Sequence, residues 1–243
     1  MRRRFFVENF GDESAVLRGE TAEHLGRVLR AESGQLYELS DGKSVWLARI
    51  KNVALPKHGE SRVDFALVEP VAAREPDLAL DLLISIIKFD HFEWCLEKAT
   101  ELGANKIVPV AAARSDKPLI EAAAKRRARW AKILTESAQQ ARRLCAPLLG
   151  EIARPTEAFE QSRASLKMLL SERAGAPSMR EVSRTGAPLA SVAIAIGPEG
   201  GWTDAELSAA RSCGFSEASL GEHILRTETA VIAAAAVVRF ALE

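Results

Sequence analysis

Two stretches near the carboxyl end combine residue types that are suited to chemistry. The first, at 192–206, reads VAIAIGPEGGWTDAE and passes from apolar residues through Pro-Glu-Gly-Gly to acidic ones. Gly200 and Gly201 permit positive φ and let the backbone approach a ligand closely. The stretch is neither G-x-G-x-x-G nor a P-loop, so it signals neither a dinucleotide nor a triphosphate. For a lone Gly-Gly pair, a tight turn without a ligand is the favoured interpretation.

The second stretch, SLGEHILRTETAVIAAAAVVRFALE at 219–243, predicts a short strand, a loop and a nearly all-apolar helix. Such a helix must be buried on most sides, either in the core or with one face against a second subunit. Arg226 and Glu228 stand where this helix begins. They are either a structural ion pair or part of a reactive site.

The elements around these stretches predict an α/β domain. Continuous apolar strands such as LALDLLISII (78–87) and VAIAI alternate with helical segments, among them one long helix over roughly 119–144. This alternation is typical of a parallel sheet covered on both faces, which binds ligands beyond the carboxyl ends of its strands. Thr203 and Glu206 have the spacing of a capping box, which starts a helix at about Asp204.

The amino-terminal part has a different pattern. Four short strands rich in β-formers, separated by turn residues, surround one helix that Thr21 is placed to cap, and they predict a small barrel. The segment EPVAAREPD (69–77) is the best boundary. We therefore expect two domains, 1–72 and 73–243.

Composition excludes several classes of protein. The 243 residues include 33 basic and 33 acidic ones, so a nucleic-acid surface must be local. Residues 114–143 carry a surplus of basic over acidic side chains, which is either a phosphate-binding surface or a solvated helix face. The longest apolar run is too short to span a membrane, three scattered cysteines suggest no disulfide framework, and four scattered histidines suggest no metal site. We expect a cytoplasmic protein.

Both carboxyl-terminal stretches resemble a known family. IGPEGGWTDAE followed by LGEHILRTETA is similar to the paired signature of the RsmE family, SPOUT-superfamily methyltransferases that modify N3 of a specific uridine in 16S ribosomal RNA. EKATELGANKIVPV (97–110), ESAQQARRLCAP (136–147) and HLGRVLR (24–30) resemble further family segments. The similarity covers essentially the whole chain in the right order.

The resemblance implies a fold and a set of partners. The fold is a SPOUT trefoil-knotted parallel-sheet methyltransferase domain preceded by a small PUA-like β-barrel that contacts RNA. The implied partners are S-adenosylmethionine, 16S ribosomal RNA within the small ribosomal subunit, and a second copy of the chain. The implied cofactor-binding residues are Leu170, Ser171, Glu172, Ile196, Gly197, Pro198, Glu199, Gly200, Gly201, Leu220, Gly221, Ile224, Leu225 and Thr229.

The reaction and the substrate suggest further roles. The imide N3 of uracil is a poor nucleophile until its proton leaves, so the site needs a base or a cation that stabilises the anion. Arg226 is the candidate cation, and Glu228 is placed to orient it. No histidine is clearly placed as the base; His223 is an open alternative, although it departs from the family pattern. The candidate RNA-binding residues are Arg3, Arg4, His24, Arg27, Arg30, Arg114, Arg126, Arg143 and His223. Arg2 belongs to the same basic edge of the amino-terminal domain as Arg3 and Arg4.

The sequence departs from the family pattern at a few positions. His223 stands where arginine is usual and Glu222 where proline is common, while Gln139 and Cys145 replace a glutamate and an arginine. Two other interpretations stay open: a related SPOUT enzyme that methylates a ribose 2′-hydroxyl, and a ribosome assembly factor without catalysis.

Overall fold

A computed structural model describes residues 3–184 and 189–241. The chain divides into two compact units. The first comprises the residues up to Glu75 together with Ala138–Cys145, and the second comprises Pro76–Ser137 and the residues from Ala146 onward. The sequence places the boundary after residue 72 but does not foresee that a segment from the middle of the chain belongs to the first unit.

The first unit contains a five-stranded sheet. Its strands are β1 (Arg4–Phe6), β2 (Ser14–Arg18), β3 (Leu36–Ser40), β4 (Val45–Ala54) and β5 (Arg62–Pro70). Their order is β1-β3-β4-β5-β2, with β1 and β3 parallel and the other pairs antiparallel. The sheet is curled into a half-barrel, and within the described residues no pairing joins its edge strands β1 and β2.

The predicted helix is present after β2, but it begins earlier than expected. Helix α1 (Gly19–Glu23) continues into a π-helical turn, His24–Val28. Gly19 has φ of 58° and turns the chain directly from β2 into the helix, so Arg18 occupies the N-cap and Thr21 does not. Ala22 and Leu25 are buried against the apolar side of the sheet, where Leu39, Ile50 and Phe65 form the core.

Segment 138–145 joins this unit through ion pairs. Arg4 contacts Glu38 at 2.8 Å, and Arg142 pairs with the same carboxylate. Arg143 contacts Glu75 at 2.9 Å. The predicted single helix over 119–144 is therefore wrong: the chain forms α3 (Lys117–Ala123), a 3₁₀ turn (Ala124–Arg126) and α4 (Arg127–Gln140), and Arg142 has φ of 57°.

The second unit is built on a six-stranded parallel sheet. The strands are β6 (Ala79–Ser85), β7 (Lys106–Val110), β8 (Leu148–Leu149), β9 (Leu166–Leu170), β10 (Ser191–Ile196) and β11 (Ser216–Ala218). Their order is β11-β9-β10-β6-β7-β8, and all pairs are parallel. The predicted α/β class with a parallel sheet is confirmed; the knotted path of the chain stays a prediction.

Helices cover both faces of this sheet. They include α2 (Phe89–Glu101), α5 (Pro155–Gln161), α6 (Met179–Val182), α7 (Asp204–Ser212) and α8 (Thr227–Ala241). Strand β10 is continuously apolar because both of its faces are buried. Val192, Ile194 and Ile196 belong to the core that includes α2 and α8. Ala193 and Ala195 belong to the core that includes α5 and α7. No helix in the described part of the chain is long and apolar enough to cross a membrane.

Candidate functional site

Three segments of the second unit meet at the carboxyl edge of the parallel sheet. They are the end of β9 with the residues after it, the loop between β10 and α7, and the loop between β11 and α8. Together they enclose a cavity of about 300 Å³. This volume lies at the lower end of the range for small-molecule sites. The edge is where open parallel sheets bind ligands.

The loop between β10 and α7 has the conformation that its glycines allow. Gly201 has φ of 67°, and its N–H donates to the carbonyl oxygen of Pro198 at 2.8 Å. The loop ends in the predicted capping box: the Thr203 hydroxyl accepts from the N–H of Glu206, whose carboxylate accepts from the N–H of Thr203 at 2.7 Å. Helix α7 begins at Asp204, as the sequence predicts.

Three side-chain hydrogen bonds hold this loop in place. The indole N–H of Trp202 donates to the carbonyl of Leu170 at 3.2 Å, which ties the loop to the end of β9. Arg114 donates to the carbonyl of Gly200 at 2.7 Å. Thr227, the first residue of α8, donates to the carbonyl of Gly197 at 2.9 Å. The cavity wall is therefore a rigid backbone supported by polar side chains.

Charged groups also line the cavity. Glu172, Glu199 and Asp204 contribute carboxylates, and Arg114 and Arg173 contribute guanidinium groups. Arg173 lies 3.2 Å from Asp204. Within residues 3–184 and 189–241, no cluster of three or more histidine, cysteine or acidic side chains is arranged to hold a metal.

Comparison with known proteins identifies the family. Residues 74–239 match the model of the RNA methyltransferase domain. Ribosomal RNA small subunit methyltransferase E of Synechocystis is 32% identical over 97% of this chain and 76% of its own length. The protein of the same name from Mesomycoplasma hyopneumoniae is 33% identical over 94% of this chain and 95% of its own length. This chain belongs to the ribosomal RNA small subunit methyltransferase E family.

A solved structure of the family agrees over nearly the whole chain. It is the Neisseria gonorrhoeae member bound to S-adenosylmethionine. It aligns with a TM-score of 0.85 and 30% identity, and it covers 99% of this chain and 98% of its own. The resemblance that the two carboxyl-terminal stretches suggest is thus confirmed.

Most of the predicted cofactor residues come together at the cavity. All line it except Gly200 and Thr229. Gly200 is instead bonded through its carbonyl to Arg114, and Thr229 is exposed on α8, where Thr227 takes the inward position. That the residues at the cavity bind the cofactor stays a prediction.

The two predicted catalytic residues are separated. Arg226 is exposed, and within the described part of the chain its guanidinium makes no hydrogen bond or ion pair. Glu228 does not orient it: the Glu228 carboxylate is buried and lies 3.0 Å from Nδ1 of His91 on α2. Residues two apart at a helix start face different directions, which explains the separation.

The predicted RNA-binding residues of the first unit fall into two groups. Arg3, His24, Arg27 and Arg30 are exposed. Arg4 and Arg143 are buried and paired with Glu38 and Glu75, so they are not available to phosphate. The clusters of basic residues in the sequence do not reveal these acidic partners, because the partners are distant in sequence. Arg2 lies outside the described residues.

The predicted RNA-binding residues of the second unit are also partly engaged. Arg114 holds the loop at Gly200, and His223 is exposed and lines the cavity. Arg126 lies over the ring of Phe89, 4.8 Å from its centroid, and 3.9 Å from Glu93. Much of the basic surplus over 114–143 is thus balanced by neighbouring acids.

Sequence reasoning did not identify several residues of this region. Trp202 and Thr227 line the cavity and fix its walls, as described above. The position of Trp202 directly after Gly201 was the available signal, because a large aromatic side chain beside a glycine loop usually packs against it. His91 had no signal at all, since it lies 137 residues from its partner Glu228.

Proposed function

We propose that this protein transfers the methyl group of S-adenosylmethionine to N3 of a uridine in the RNA of the small ribosomal subunit. The observation that carries the proposal is the cavity at the carboxyl edge of an RNA methyltransferase domain. A family member bound to S-adenosylmethionine has the same fold over 99% of this chain. Residues 73–243 would form the methyltransferase domain and residues 1–72 the PUA-like RNA-binding domain.

The residues at the cavity fit this cofactor. When bound, S-adenosylmethionine supplies an electrophilic methyl group on a positively charged sulfur. The three carboxylates of Glu172, Glu199 and Asp204 outnumber the two guanidinium groups of Arg114 and Arg173, and this balance favours a cationic ligand. Gly221 has φ of 133°, and a Cβ there would meet no atom within 4 Å, so its backbone is open to close approach. Leu170, Leu220 and Leu225 add apolar contacts for a ring system.

Arg226 suits the role of stabilising the uracil anion. Loss of the N3 proton leaves negative charge on N3 and on the two flanking carbonyl oxygens, which a guanidinium can meet with hydrogen bonds. Arg226 follows the cavity residue Leu225 and precedes the cavity residue Thr227. Its guanidinium has no partner within the described residues that would have to be displaced.

The RNA would be held away from the reacting base. N3 lies on the Watson–Crick edge, so the target uridine must be unpaired or extruded. Exposed basic side chains bind phosphate without reading sequence. In the first unit these are Arg3, His24, Arg27 and Arg30, and in the second they include Arg126 and His223.

The protein would act as a homodimer through one face of α8. Phe240 on that helix is 94% exposed, and Thr229 and Ala236 are exposed on the same helix. A large exposed aromatic beside small residues is typical of a surface that a partner covers. Sedimentation of the protein and of Phe240→Glu tests this: we expect a dimer that the substitution dissociates, and a monomeric wild type would contradict it.

Because the substrate is a ribosomal subunit, we propose that the protein acts in the cytoplasm.

The deciding experiment is methyl transfer from labelled S-adenosylmethionine to small ribosomal subunits that lack the modification. The product nucleoside is identified by mass spectrometry, and subunits that already carry the modification serve as the control. We expect 3-methyluridine to form only on the subunits that lack the modification. A ribose-methylated product would overturn the N3 assignment, and cofactor binding without any transfer to RNA would overturn the substrate.

A further inference from the structure

His91 and Glu228 form a partly buried contact at the edge of the sheet that carries the cavity. His91 lies in the first turn of α2, directly after β6, and Glu228 lies in the first turn of α8. Strand β6 is the neighbour of β10, with Ile84 opposite Ile196, so α2 starts at the same edge of the sheet as the cavity loop. The two residues thus belong to the edge where the ligand would bind.

The contact indicates which ring nitrogen carries hydrogen when Glu228 is ionised. Nδ1 of His91 lies 3.0 Å from Oε1 of Glu228, and an ionised carboxylate only accepts hydrogen bonds. Nδ1 must therefore be the donor. In a neutral imidazole the other nitrogen, Nε2, is then a bare acceptor. The His91 side chain is 36% exposed while that of Glu228 is 10% exposed, so the ring is accessible and its partner is sheltered.

Stability alone does not explain this arrangement. Oε2 of Glu228 is buried and has no hydrogen-bond partner among the described residues. A buried carboxylate with one oxygen unsatisfied costs free energy that an apolar residue would avoid. A buried polar atom without a partner calls for an explanation, and a role in the reaction is one.

Neighbouring residues tie the pair to the reaction site. Thr227, adjacent to Glu228, lines the cavity and bonds the carbonyl of Gly197. Burial, followed by the charges of Glu228 and Glu199, raises the pKa of the Cys95 thiol to about 12. Cys95 is therefore neutral. Its thiol is close enough to both Glu228 and the cavity residue Glu199 for their charges to act on it. Asp90, 3.7 Å from Nε2 and mostly exposed, is the other acid at the ring.

We propose that His91 is the catalytic base that accepts the N3 proton of the uracil, and that Glu228 is the positioning residue that presents its Nε2. This deepens the proposed function and rests on it. The N3 proton passes to Nε2, and the N3–methyl bond forms as the sulfur–methyl bond of S-adenosylmethionine breaks. The sulfur keeps the electron pair of the broken bond. Glu228 and Asp90 stabilise the imidazolium, which returns its proton to water.

The test measures single-turnover methylation of unmodified small subunits by the full-length protein. In His91→Asn the amide can still donate to Glu228, but no titrating nitrogen remains. We expect its rate to fall about 10²–10⁴-fold, the usual contribution of general base catalysis, with cofactor affinity within twofold of wild type. His58→Asn, an exposed histidine of the first unit, is the matched control and should leave the rate unchanged.

Chemical rescue separates a catalytic from a structural role. Imidazole added to His91→Ala should restore at least tenfold of the lost rate. The rate of His91→Asn should rise with pH more steeply than that of the wild type, because hydroxide must then replace the lost base. Glu228→Gln should slow methylation while cofactor affinity stays within twofold.

A measurement independent of activity completes the test. Nitrogen NMR of the labelled histidine should show hydrogen on Nδ1 of His91 and a bare Nε2. An inverted tautomer, a rate of His91→Asn within threefold of wild type, or rescue that fails in folded His91→Ala would overturn the assignment while 3-methyluridine formation by the wild type still stands. A wild type that forms no methylated uridine would instead overturn the proposed function, and the assignment with it.

Discussion

At the scale of single residues, the site places one exposed cation and one sheltered carboxylate at the start of the same helix. Arg226 is exposed without a partner in the described residues, whereas Glu228 faces His91. These are different electrostatic environments only two residues apart. Each position therefore suits a different task, charge stabilisation in one case and orientation of a base in the other.

Replacement of Arg226 tests the first task. Arg226→Ala should lower the rate of methyl transfer about 10²–10³-fold, the usual effect of removing one group that stabilises a developing anion. The dissociation constant for S-adenosylmethionine, measured by calorimetry, should change less than twofold because Arg226 does not line the cavity. Arg226→Lys keeps the charge but not the paired donors, so its rate of methyl transfer should lie between those of the wild type and Arg226→Ala. Equal losses of rate and cofactor affinity would contradict this role.

At the scale of elements, glycines control the shape of the cavity loop. Gly201 has φ of 67°, and a Cβ there would approach Oε1 of Glu172 to 3.2 Å. Gly214, after α7, has a similar φ of 83°, but a Cβ there would meet no atom within 4 Å. The two glycines thus share a backbone conformation, and of the two only Gly201 lines the cavity.

This difference gives a matched pair of variants. A left-handed residue other than glycine costs about 1–2 kcal/mol, so Gly201→Ala and Gly214→Ala should each lower the free energy of unfolding by about that amount. Only Gly201→Ala should weaken S-adenosylmethionine binding, by about tenfold, because only there does the added methyl group crowd a side chain that lines the cavity, Glu172. If Gly214→Ala weakened binding equally, the loop geometry would not be the cause.

The elements also show how far the sequence predicts the structure. The apolar run of β10 and the capping box at Thr203 are local signals, and the structure follows both. Most of the predicted cofactor residues line one cavity, because the resemblance rests on contiguous motifs. Local patterns cannot report contacts between distant residues, and so the pairing of Glu228 with His91 and the burial of Arg4 and Arg143 were not foreseen.

The break at the end of α4 has the same origin. A helical pattern over 119–144 continues through residues that are polar and good helix formers. Glu38 and Glu75, far away in sequence, bind Arg142 and Arg143 and hold segment 138–145 in a non-helical conformation after Gln140. Tertiary ion pairs have overridden local propensity.

Replacement of Glu38 tests how strongly these ion pairs hold the segment. The side chains of Arg4 and Glu38 are 3% and 4% exposed, so Glu38→Ala leaves a buried guanidinium unpaired. The free energy of unfolding in urea should fall by about 3–5 kcal/mol. Glu60→Ala breaks the exposed pair with Arg18 and should cost about 0–1 kcal/mol. Similar values for the two variants would contradict the structural role of the buried pair.

At the scale of the whole molecule, equal numbers of acidic and basic residues coexist with an RNA substrate. Thirty-three residues of each sign give no net charge, so steering by overall charge is absent and RNA must be met by local groups. Many of the arginines in the basic region 114–143 already bind acids or backbone carbonyls. The exposed side chains on the helical segment after β2 are therefore the stronger candidates for phosphate contacts.

Charge reversal on that helical segment tests the assignment. Arg27 is half exposed and pairs with Glu23 at 3.0 Å, a contact worth little in water, and Arg30 is exposed with φ of 51°. The double variant Arg27→Glu/Arg30→Glu should weaken binding to small-subunit RNA, measured as a function of salt. If both residues contact phosphate, the slope of log affinity against log salt should shrink by about 1.4–1.8, because each lost contact removes about 0.7–0.9.

The control changes charge elsewhere on the same unit. Arg18 is similarly exposed and pairs with Glu60. Arg18→Glu is compared with the single variant Arg27→Glu, because each of them changes the net charge by the same amount, half that of the double variant. Arg18→Glu should leave the salt slope unchanged, whereas Arg27→Glu should reduce it by about 0.7–0.9. Equal reductions in the two single variants would mean that overall charge governs RNA binding, and not a surface at the helical segment after β2.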